Sequence, residues 1–154
     1  MTSPRFASPS TRRRLLLAAA GLCVVPLGLA ARFLLEGGAG NVAGGVLYAV
    51  LIYLLVAFVA PGWRPLRAAV VAACLCFAVE LFQLTPVPGN LAEIFPPIAL
   101  VLGTTFVVAD LPAYAAGAAA VAAVDTVFLR ATRRWTQAGP GRDTRDRGPT
   151  ADLD

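Results

Sequence analysis

Four apolar runs, at residues 15–35, 44–60, 68–84 and 110–129, alternate with polar, glycine-rich or proline-rich connections. A helix needs about 20 mostly apolar residues to cross the hydrocarbon core of a bilayer. The first, third and fourth runs are near that length. The second is short unless Gly44 and Gly45 extend it. The pattern predicts an all-α integral membrane protein of four spanning helices. Between the third and fourth runs, Pro86, Pro88, Pro96 and Pro97 are too many for one regular helix. Residues 98–102 are apolar but too short to span. They predict a short interfacial or re-entrant segment before the last helix. Residues 1–14 read as a disordered basic N-terminus and residues 130–154 as a disordered arginine-rich tail. Residues 36–45 read as a glycine-rich connection, and Trp63 as an interfacial anchor in the break between the second and third runs.

Composition agrees with this division. The chain has 154 residues, enough for one domain, and 58 % of them are hydrophobic against 14 % charged. Its mean hydropathy is +0.72. All 13 basic residues are arginine, and histidine is absent. That excludes imidazole base chemistry and the commonest metal ligand. Cys23, Cys74 and Cys76 lie inside apolar runs and read as small buried hydrophobes. No metal site or cofactor site is expected. Arg12, Arg13 and Arg14 before Leu15 and Leu16 resemble a twin-arginine export signal. The first run is longer than the roughly 7–15 apolar residues of a signal core, which favours an uncleaved first helix.

Charge sets the expected topology. With four spans, both termini share a side with the connection around Arg64 and Arg67. All 13 arginines except Arg32 then lie on that side. By the positive-inside rule it is the cytoplasm. The same placement argues against a nucleic-acid partner, because the basic residues flank apolar runs without aromatic interleaving.

Five polar residues fall at similar depth on the other side. Arg32 ends the first run. Glu80 and Gln83 share a face near the end of the third. Asp110 opens the fourth, with Tyr114 one turn on. One reading is structural: Arg32 neutralises Glu80 or Asp110, Gln83 and Tyr114 add hydrogen bonds, and Asp110 caps its helix. The other is a site at the outer face for a lipid headgroup or a lipid-linked envelope precursor. A small proton-coupled transporter, whose four short spans would need a homo-oligomer, and a membrane enzyme acting on a lipid-linked substrate are the alternatives. Asp125 lies near the inner end and reads as a separate surface residue.

The order of these motifs carries a resemblance. Ala31-Arg32, then Glu80-Leu81-Phe82-Gln83-Leu84, Leu102-Gly103-Thr104-Thr105-Phe106 and Asp110-Leu111-Pro112-Ala113-Tyr114-Ala115-Ala116-Gly117 resemble a family of small bacterial membrane proteins, domain of unknown function 2809, over roughly residues 15–125. The Glu-x-x-Gln and Asp-x-x-x-Tyr-x-x-Gly elements are also similar to those of VanZ-like proteins. The resemblance implies a fold and a set of matched residues, but no activity.

Overall fold

The computed structural model describes residues 9–35 and 37–137. Four long helices are α1 (Pro9–Leu34), α2 (Gly37–Val59), α3 (Pro65–Gln83) and α6 (Asp110–Gln137). Each contains a window long and apolar enough to cross a membrane, and the chain is a multi-pass membrane protein. Between α3 and α6 lie two short helices, α4 (Val87–Ile94) and α5 (Ala99–Leu102), joined by one 3-10 turn at Pro96–Ile98. No strand occurs among the described residues.

Helix α2 is the centre of the bundle. It packs against α1, α3 and α6, and α3 also packs against α6. The interior is built largely from small side chains: Ala49, Ala57, Ala68, Ala72, Cys76, Ala118 and Ala122, with Tyr53 as a large one. Apolar lipid gives helices little hydrophobic reason to associate, so contact depends on close approach, which small residues permit. Gly117 is the tightest such contact between α2 and α6, since a Cβ there would lie 2.5 Å from the Val46 carbonyl oxygen. Large apolar side chains point away from the bundle along its length, among them Leu22, Phe33, Val59, Val70 and Val124. A lipid surround accounts for that exposure.

Element boundaries differ from the apolar runs in three places. Helix α2 begins at Gly37, so the glycine-rich connection is helical almost throughout. Glycine costs helix stability in water, but in hydrocarbon the helix is what satisfies the backbone. Helix α1 begins at Pro9 and includes Arg12–Arg14; proline suits the first helical position, where its missing N–H is not needed. Helix α6 runs to Gln137, beyond the last apolar residue of its run. Arginine and alanine sustain a helix, and Arg134 in the last turn complements the helix dipole. At 28 residues α6 is about 42 Å long, which exceeds the hydrocarbon thickness. The remaining expected disorder, at residues 1–8 and 138–154, lies outside the described residues.

Candidate functional site

Helix α3 turns one face, bearing Cys76, Glu80 and Gln83, toward α6 and the segment that precedes it. Glu80 is 1 % exposed. The Tyr114 hydroxyl donates to its Oε1 at 2.6 Å, and the backbone N–H of Val107 donates to its Oε2 at 3.3 Å. Tyr114 is itself held in place. Its ring stacks at a tilt on Tyr48, with centroids 5.9 Å apart, and packs with Ala49 and Cys76. A carboxylate in hydrocarbon is costly without partners, and here both oxygens have one.

One turn further along α3, the Gln83 amide donates to the Leu102 carbonyl at 2.5 Å. The next residue explains how it reaches. Gly103 has φ of +64°, and a Cβ there would lie 2.3 Å from Gln83 Nε2. Only glycine takes that backbone conformation freely and leaves room for the amide. Glu80 and Gln83 thus fasten Leu102, the end of α5, and the irregular residues 103–107 across this end of the bundle like a strap. The flanks of the strap are apolar, with Ile94, Phe95, Leu100, Val101 and Val108 exposed, while the strap itself exposes Thr104 and Thr105.

Asp110 stands in the first turn of α6 and faces α2, where a Cβ on Gly45 would come within 3.8 Å of its Oδ1. Arg32 belongs to the last turns of α1; its side chain lies outside the described residues, so its expected pairing with Glu80 or Asp110 does too. The structure therefore brings Glu80 and Tyr114 into direct contact, seats Gln83 on the strap beside them, and places Asp110 one turn before Tyr114.

A second polar cluster occupies the opposite end, and it corrects the reading of Asp125 as a separate surface residue. Arg13 Nη2 contacts Asp125 Oδ2 at 2.8 Å, and the fully buried Tyr53 donates its hydroxyl to the same oxygen at 2.7 Å. Arg13 also donates to the Pro61 carbonyl. These contacts tie α1, α2 and α6 to the α2–α3 connection. A signal was present in the chain: an aspartate inside an apolar run, and an arginine at the start of another that four-span parity puts at the same end. Among the described residues, no group of three or more Cys, Asp or Glu side chains is placed to hold a metal ion.

No curated protein and no solved structure matches the chain. A family model matches residues 35–118, which include Glu80, Gln83, Asp110 and Tyr114 but not Arg13, Arg32 or Asp125. The expected likeness to VanZ-like proteins has no support in that match. Covering more than half of the sequence, it shows that the chain belongs to the family described as "Protein of unknown function (DUF2809)".

Proposed function

We propose that this is a bacterial inner-membrane protein, with both termini cytoplasmic, that acts in the cell envelope through the polar cluster beneath the strap. The arginine distribution supports the orientation, because it puts the strap on the outer face. The observation that carries the functional reading is Glu80. A buried carboxylate is expensive in a bundle that alanine and cysteine otherwise fill closely, and an apolar residue of similar size would avoid the cost. Glu80, Gln83 and Tyr114 together offer hydrogen-bond acceptors and donors under a segment that meets the outer leaflet. A lipid headgroup or the polar part of a lipid-linked precursor has matching chemistry.

The test is Glu80→Gln, which keeps the shape of the side chain and removes its charge. The protein is extracted with its surrounding lipid, and the bound lipid is identified by mass spectrometry. The wild type should retain a distinct lipid or precursor that the variant loses while keeping its thermal stability. A stable variant with an unchanged lipid complement, which also restores the envelope phenotype of a deletion strain, would leave Glu80 a packing residue.

A further inference from the structure

At the end of the bundle away from the strap, α6 carries a feature that neither polar cluster uses. Its packing face is formed by Tyr114, Gly117, Ala118, Ala122 and Asp125. About 180° round the helix, at 100° per residue, lies a stripe of Ala120, Ala123, Val124, Val127, Arg130, Ala131 and Arg134. All of these residues are exposed. Its upper part is apolar. Its lower part is a cationic face on which Val127, Arg130, Ala131 and Arg134 lie side by side. Neither guanidinium is engaged by a carboxylate of the described residues. Asp125 is taken by Arg13 and Tyr53 on the other side of the helix.

We propose that this face is a binding site for an anionic phospholipid. Arg130 and Arg134 are one turn apart, about 6 Å along the axis, and bracket a single phosphate. Guanidinium groups suit that role, since their forked N–H donors match phosphate oxygens in pairs. The acyl chain lies along Val127, Val124 and Ala120, on the face that no other described helix covers. The stripe passes from apolar to cationic in the order in which a lipid passes from chain to headgroup. A zwitterionic lipid presents the same chain but brings its own cation, so the arginines select for net negative charge.

The full-length protein is placed in nanodiscs of phosphatidylcholine with a minor share of phosphatidylglycerol, and the lipid retained after detergent release is measured by native mass spectrometry. The wild type should retain phosphatidylglycerol in preference to phosphatidylcholine. Arg130→Gln and Arg134→Gln should each lower that preference about fivefold, and the double variant about 30-fold. An equal preference in wild type and double variant would overturn the proposal. So would a wild type without preference that gains one on truncation after Gln137, because the arginines would then be occupied by the aspartate-containing C-terminal residues. A wild-type preference that survives truncation and falls in both single variants supports it.

Discussion

Replacing Tyr114 by phenylalanine removes one oxygen and leaves Glu80 Oε1 buried without its donor. An unmet buried acceptor costs about 1–3 kcal/mol, more when it is charged. Tyr114→Phe should therefore lower thermal stability in detergent, and Glu80→Leu added to it should recover part of the loss. A double-mutant cycle measures the coupling, expected at about 0.5–3 kcal/mol for groups in contact. Additive losses would mean that the hydrogen bond contributes nothing. Helix arithmetic from the sequence puts Glu80 and Tyr114 at one depth, but depth does not select partners. Only the azimuth of each helix, fixed by Ala49, Cys76 and Gly117 at the contacts, decides that the phenol reaches the carboxylate. Asp125 shows the same limit, as its partners come from two other helices.

At the scale of elements, the strap depends on Gly103. Gly103→Ala forces a positive φ with ψ near 180° on a residue with a Cβ, at about 1–3 kcal/mol, and drives that Cβ into Gln83. The strap should lose its seat on α3. Cys76 gives a readout, since it is fully buried one turn below Glu80. With Cys23 and Cys74 replaced by serine, Cys76 should react slowly with a polar maleimide in the wild type. It should react at least about tenfold faster in Gly103→Ala and in Gln83→Ala, as expected for a loss of roughly 1.4 kcal/mol of closure. Unchanged rates would show that the strap is held elsewhere. The spanning helices were legible because hydrocarbon demands a long apolar run. The strap was legible only as irregular, because its conformation rests on bonds to side chains 19 and 27 residues away. Likewise, the helical start of α2 was hidden by glycines whose propensity in water does not govern in lipid.

For the molecule as a whole, the arginine distribution is what the proposed orientation rests on. Reporter fusions after Gly40 and after Asn90 should read as periplasmic, and fusions after Trp63 and after Arg134 as cytoplasmic. A periplasmic signal at Arg134 would refute the proposed orientation. The two polar clusters meet α6 at different levels, one through Tyr114 in its second turn and the other through Asp125 midway along it, about 16 Å apart along the axis. Helix α1 is joined chiefly to α2 along its length, and the Arg13–Asp125 pair is its tie to α6.

The partners of Glu80 follow it by 27 and 34 residues in the chain. At a synthesis rate of about 5–20 residues per second, α3 exists for roughly 2–7 s before Tyr114 has been made. During that interval the carboxylate must shelter with water, with a headgroup or with the insertion machinery. Helix α6, made after α1, α2 and α3, therefore closes both ends of the bundle in one step. A nascent chain interrupted before α6 leaves the membrane holding an acid without its hydroxyl and an arginine without its aspartate.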